Sequence, residues 1–127
     1  MSNSDATGGM RIAYAYELEA APGKTIVGVD ATYLPGEETP PHTHKNGPIM
    51  VYVLSGQVRI GLNGEEPWIE CAGESHYEPA DTHNTIADNP SRIESCRFFF
   101  TEVLDTAIWK AQGMDALFKL DSDPTPP

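Results

Sequence analysis

The stretch Gly36-Glu37-Glu38-Thr39-Pro40-Pro41-His42-Thr43-His44 runs on into Ile49-Met50-Val51-Tyr52-Val53-Leu54-Ser55-Gly56. It sets two imidazoles two residues apart, after a Pro-Pro pair and before the most strand-like run of the chain. Side chains at i and i+2 of an extended segment share one face. His42 and His44 can therefore reach a common point, a metal ion or a small ligand. The bland alternative is a pair of solvated loop histidines.

Working outward, period-two alternation recurs on both sides. Ile12, Tyr14, Tyr16 and Leu18 alternate with Ala13, Ala15 and Glu17, and Val27, Val29, Ala31 and Tyr33 with Gly28, Asp30 and Thr32. Both patterns predict strands. Ile49 to Leu54 is a continuous apolar run, short enough for a strand buried on both faces. Val58, Ile60 and Leu62 lead to Asn63-Gly64, a hairpin signal, with Trp68 to Cys71 as the return strand. Ser75-His76-Tyr77-Glu78 ends at Pro79. Arg92 to Leu104 holds Phe98-Phe99-Phe100 and reads as a long last strand. A short helix is expected either after Asp105, through Ile108 and Trp109, or after Gly113, through Ala116, Leu117 and Phe118. Many short strands with turns about every ten residues imply an all-β barrel or sandwich with a short C-terminal helical segment. We expect one domain over residues 11–120, with flexible tails at 1–10 and 121–127.

The chain has 127 residues, 39% of them hydrophobic, and a formal net charge of -11. That length suits one modest core. The acidity argues against nucleic acid or anionic membrane as a partner, since both need clustered Lys and Arg. No apolar run approaches the roughly 20 residues needed to span a bilayer. The expected setting is cytoplasmic, with Cys71 and Cys96 as free thiols.

These residues resemble the cupins, whose first motif has the form G-x5-H-x-H-x3–4-E-x6-G. Gly36, His42, His44 and Gly56 fit it, with Ile49 (or Pro48) at the carboxylate position. The second motif, G-x5-P-x-G-x2-H-x3-N, is met by Gly73 and Pro79. Asp81 stands at its second glycine, Asn84 at its histidine with His83 one residue earlier, and Asn89 one residue beyond its asparagine. The resemblance covers about residues 24–104 and implies a double-stranded β-helix (jelly-roll) barrel. It also implies a divalent metal (Fe, Zn, Mn, Ni or Cu) on His42 and His44. His83 would complete that set if a one-residue slip in the turn before it carried it inward. Homodimerisation, common among cupins, is a further implication, with Tyr14 and Tyr16 as interface or core residues.

The expected function is that of a small-molecule enzyme with its site inside the barrel. The leading form is metal-assisted oxygenation, isomerisation or decarboxylation through His42, His44 and His83. The alternatives are a metal-free acid/base cyclase, dehydratase or isomerase, and a non-catalytic ligand-binding protein. An apolar residue at position 49 favours the metal-free form. Glu78 is a candidate general base, because a carboxylate turned into an apolar barrel has a shifted pKa; its bland reading is a half-exposed strand residue. Ile49, Val51, His76, Asn84, Phe98 and Phe100 are the expected pocket residues.

Overall fold

A computed structural model of the protein describes residues 8–123. The strands are β1 (Gly9–Glu17), β2 (Lys24–Tyr33), β3 (His42–Thr43), β4 (Ile49–Ser55) and β5 (Gln57–Leu62), then β6 (Trp68–Cys71), β7 (Ser75–Glu78), β8 (His83–Asp88), β9 (Cys96–Asp105) and β10 (Lys119–Leu120). Among the described residues, one helix, α1 (Thr106–Gln112), and a 3-10 turn over Gly113–Ala116 precede β10. The strands form two five-stranded antiparallel sheets, ordered β1-β2-β9-β4-β7 and β10-β3-β8-β5-β6. This is the expected all-β double-stranded helix.

The inward positions of the first sheet are mostly apolar at every second residue. Val27, Val29 and Ala31 of β2, Val51 and Val53 of β4, and Phe98, Phe100 and Leu104 of β9 are buried together. The second sheet adds only Val58 and Ile60 to that cluster. Where β3 and β8 face the core it presents His42 and Asn84, both buried. Polar groups inside an apolar barrel cost free energy unless they are partnered, so this end of the second sheet is where a site is expected.

Several expectations change. β4 is buried on one face only, because Tyr52 and Leu54 point outward and are exposed. The Phe triplet divides by alternation: Phe98 and Phe100 face the core, while Phe99 packs outside against Tyr14, with ring centroids 5.8 Å apart. Tyr14 and Phe99 close over Gly28, where a Cβ would stand 2.4 Å from the Tyr14 ring. β1 begins at Gly9, earlier than expected. Asp121 is tied to the barrel by its N–H, which donates to Pro41 O at 2.9 Å. The rest of the two expected tails, residues 1–7 and 124–127, lies outside the described residues.

Candidate functional site

Proline carries no N–H for a β ladder, and β3 starts only after Pro40-Pro41. It is two residues long and lies between β8 and β10. In its register His42 is opposite Asn84 and Thr43 is opposite His83. His42 and Asn84 therefore share the inner face, while Thr43 and His83 share the outer one. The turn before β8 keeps the geometry that a glycine would give it. Asp81 adopts a left-handed φ of 72°, a conformation that Asp tolerates better than most residues. Its N–H donates to His44 O at 2.9 Å, which joins the turn to the histidine segment.

The expectation that His83 swings inward is thus corrected. Asn84 takes the inner position opposite His42, and just beyond it the β8–β5 ladder shifts by one residue, from Leu62 opposite Asn84 to Gly61 opposite Ile86, which breaks the alternation that would have turned His83 inward. The His83 side chain is 44% exposed and bonds through Nε2 to Asp121 at 2.8 Å. His83 does not join His42 and His44, and it is withdrawn as a ligand or catalytic group.

His42 and His44 face one cavity of about 30 Å³, room for about two water molecules. Their ring centroids are 5.0 Å apart. His42 Nδ1 lies 2.8 Å from Pro40 O, and His44 Nδ1 lies 2.8 Å from Leu117 O. A carbonyl oxygen can only accept, so each Nδ1 carries the hydrogen and each Nε2 keeps a lone pair. Neither Nε2 has a hydrogen-bond partner among the described residues. Burial pushes the His42 pKa down to about 4, so that ring is neutral at physiological pH.

Ile49, Val51, Phe98 and Phe100 form its apolar wall. Phe118, from the C-terminal segment, closes over the imidazoles at centroid distances of 5.1 Å from His42 and 5.9 Å from His44. Asn84 also lines the cavity, and its Oδ1 is buried without a partner. The lining includes Tyr33 and Thr39, whose hydroxyls bond each other.

Two carboxylates flank the site from behind. Glu102 of β9 is fully buried, with Oε1 3.2 Å from His44 Nδ1 and Oε2 unpartnered. Burial pushes its pKa up to about 7, against the opposing effect of the His44 bond. Glu78 is also buried and lines the cavity, contrary to its bland reading. Asn84 Nδ2 donates to Glu78 Oε1 at 3.0 Å, and His76 Nε2 lies 2.6 Å from Glu78 Oε2. His76 Nδ1 is 2.9 Å from both oxygens of Glu70, itself buried on β6. Burial pulls the His76 pKa down, but the bonds to Glu78 and Glu70 outweigh it, and the pKa is raised. An imidazole with a carboxylate at each nitrogen is best satisfied as imidazolium. His76 therefore stands behind Glu78 and does not line the cavity, which corrects its expected place among the pocket residues.

Sequence reading missed Glu102 and Glu70, and expected of Phe118 only that it pins the C-terminal segment onto the barrel. Glu102 had a signal: it continues the inward alternation of Phe98 and Phe100 before Leu104. Glu70 and Phe118 had none, since their roles depend on how β6 and the C-terminal segment fold back.

A divalent metal does not fit these residues well. Among the described residues no group of three His, Cys, Asp or Glu side chains converges on one point. The cavity offers two imidazoles and an amide oxygen, which is a weak ligand for transition metals. Both Glu78 oxygens already accept from Asn84 and His76.

A family model described as "Cupin domain" matches residues 29–100. No curated protein sequence matches the chain. Similar solved structures include the cupin domain of Schizosaccharomyces pombe Cnp3, with TM-score 0.59 and 18% identity over 90% of this chain and 74% of that one. A conserved double-stranded β-helix protein from Klebsiella pneumoniae matches with TM-score 0.60 and 19% identity, over 94% and 89%. The DMSP lyase DddQ of Ruegeria pomeroyi matches with TM-score 0.61 and 14% identity, over 91% of this chain and 54% of that one. At these identities the likeness concerns the fold.

Proposed function

The chain belongs to the cupin family, whose model covers more than half of it, and on that premise we propose that it is a small-molecule enzyme working by proton transfer. The observation that carries this reading is the pair of imidazoles locked with hydrogen on Nδ1, leaving both Nε2 lone pairs toward an apolar cavity.

The two rings differ. His42 has only a backbone carbonyl behind it and resists protonation, so it serves as a neutral acceptor that orients the substrate. His44 has the Glu102 carboxylate at the same nitrogen that donates to Leu117 O. A proton taken by His44 Nε2 makes an imidazolium, which the Glu102 carboxylate stabilises at Nδ1–H. The broken X–H bond leaves its electron pair on the substrate. Return of the proton at another atom gives isomerisation, and departure of a leaving group gives elimination. Metal assistance gives way here to the acid/base alternative, because the donors do not form a metal-ligand set.

The test is deuterium incorporation or turnover, followed by NMR, across a panel of small polar organic compounds in D₂O with chelator present. The expected result is proton transfer that His44→Gln abolishes and His83→Ala leaves intact. Turnover that requires a stoichiometric metal and disappears with chelator would overturn the reading.

A further inference from the structure

The polar atoms facing the cavity are nearly all acceptors. His42 Nε2 and His44 Nε2 present lone pairs, and Asn84 Oδ1 is buried without a donor. The Tyr33 and Thr39 hydroxyls engage each other and leave one O–H between them. No Lys or Arg is among the lining residues. A carboxylate or phosphate placed here would meet lone pairs and no cation, at the full cost of desolvation.

The charge behind the wall points the same way. Glu70 and Glu78 are two buried carboxylates bridged by His76. With His76 as imidazolium, the cluster keeps one uncompensated negative charge. Glu78 brings that charge to the lining, where Asn84 Nδ2 and His76 hold its oxygens. Phe98, Phe100 and Phe118 add aromatic faces, which attract cations.

We propose that the cavity takes the ammonium head of a small primary amine, its three N–H groups shared among His42 Nε2, His44 Nε2 and Asn84 Oδ1. A primary ammonium supplies three donors and one positive charge, which matches three free acceptors and one uncompensated negative charge. The cavity of about 30 Å³ suits a head group of this size. The net charge of -11 favours approach of a cation at long range. The same acceptors could attract a metal ion, but their aromatic surround, and the engagement of both Glu78 oxygens by Asn84 and His76, favour the organic cation. This inference rests on the proposed small-molecule site and names its substrate class. The ammonium N–H that rests on His44 Nε2 is then the proton this base is placed to take.

The experiment is a thermal-shift and calorimetric titration of the full chain, in chelator at pH 7, with methylammonium, tetramethylammonium and acetate chlorides or sodium salts at matched ionic strength. The expected result is saturable stabilisation by methylammonium, with acetate and tetramethylammonium at least about tenfold weaker. Asn84→Leu should weaken methylammonium about tenfold, since it removes one acceptor for a charged donor. Glu78→Gln, which keeps the shape and removes the charge, should also weaken it, and it guards against misfolding of the Asn84 variant. Acetate binding as well as methylammonium, tetramethylammonium binding equally, no saturable binding at all, or nickel(II) stabilising the wild type without chelator in place of methylammonium would each overturn the proposal. Methylammonium is not turned over. Its failure alongside His44-dependent proton transfer would therefore strike the substrate class alone, whereas loss of that transfer would strike the proposed function.

Discussion

Glu102 on β9 stands directly across from Ile49 on β4. On the other side of β4, Glu78 of β7 stands across from the same Ile49. All three side chains are buried. The position that carries a carboxylate in the cupin motif is therefore apolar here, with a carboxylate one strand away on each side. Neither is in place to serve as a third metal ligand: Glu102 sits behind His44, and Glu78 is bound to Asn84 and His76.

Ile49→Glu tests this arrangement. A third carboxylate between two buried ones, with no cation to meet it, should destabilise the fold by about 3 kcal/mol or more. It would also give His42 and His44 the anionic co-ligand that the wild type lacks. Excess nickel(II) should then recover part of the lost stability, as expected of a ligand that binds only the folded state, while leaving the wild type unchanged. Denaturant melts with and without nickel(II) decide it, and an equal response of both proteins would contradict the account.

The Glu102 carboxyl carries a pH signature. Its pKa rises from 4.5 to about 7 on folding, so the folded state holds its proton more tightly. This contribution to stability is complete below pH 4.5 and is lost as pH rises through about 7, amounting to about 3 kcal/mol. His42 acts with the opposite sign. Its pKa falls from 6.5 to about 4, so its contribution is present above pH 6.5 and is lost as pH falls toward 4. Glu102→Gln keeps an acceptor at His44 Nδ1 and removes the titration. The variant should gain stability relative to wild type at pH 8 and match it near pH 4.5. A wild-type-minus-variant difference that does not change between those pH values would exclude the assignment.

How much of this was legible in the sequence depended on whether the determinant was local. Alternation along β2, β4 and β9, and the spacing of Gly36, His42, His44, Gly56, Gly73 and Pro79, are local, and they led to the barrel and to the two imidazoles. Whether His83 or Asn84 points inward was not local. It turned on the one-residue shift in the β8–β5 ladder between Asn84 and Ile86, which no pattern within residues 80–88 announces. The Glu70–His76–Glu78 chain joins the edge strands of two different sheets, and nothing in residues 68–78 says that β6 and β7 meet. Phe118 reaches His42 because β10 adds to β3, a pairing of two-residue strands too short to show a period.

His83→Ala tests whether His83 stands apart from the site. The His83–Asp121 pair is about half exposed at both ends, and such pairs contribute at most about 1 kcal/mol. The variant should lose no more than that, and its methylammonium affinity should be unchanged, since His83 faces away from the cavity. His44→Ala, by contrast, removes the donor to Leu117 O and strands a buried Glu102, at about 2 kcal/mol or more. Comparable losses in the two variants would mean that His83 has an unrecognised role.

Phe118→Ala addresses access to the imidazoles. The ring is partly buried, so its truncation should cost about 2 kcal/mol, less than for a fully buried Phe. The C-terminal segment remains held by Asn46 Nδ2 donating to Ala116 O, by His44 donating to Leu117 O and by the β10–β3 pairing. The fold should therefore persist while the cover over His42 and His44 is removed. Acylation of each histidine by diethylpyrocarbonate, read by peptide mass spectrometry, should be slow at His42 and His44 in the wild type and several-fold faster in the variant. His83, half exposed in both proteins, supplies the internal standard. Equal rates at His42 and His44 in the two proteins would show that the Phe118 ring does not control access to the cavity.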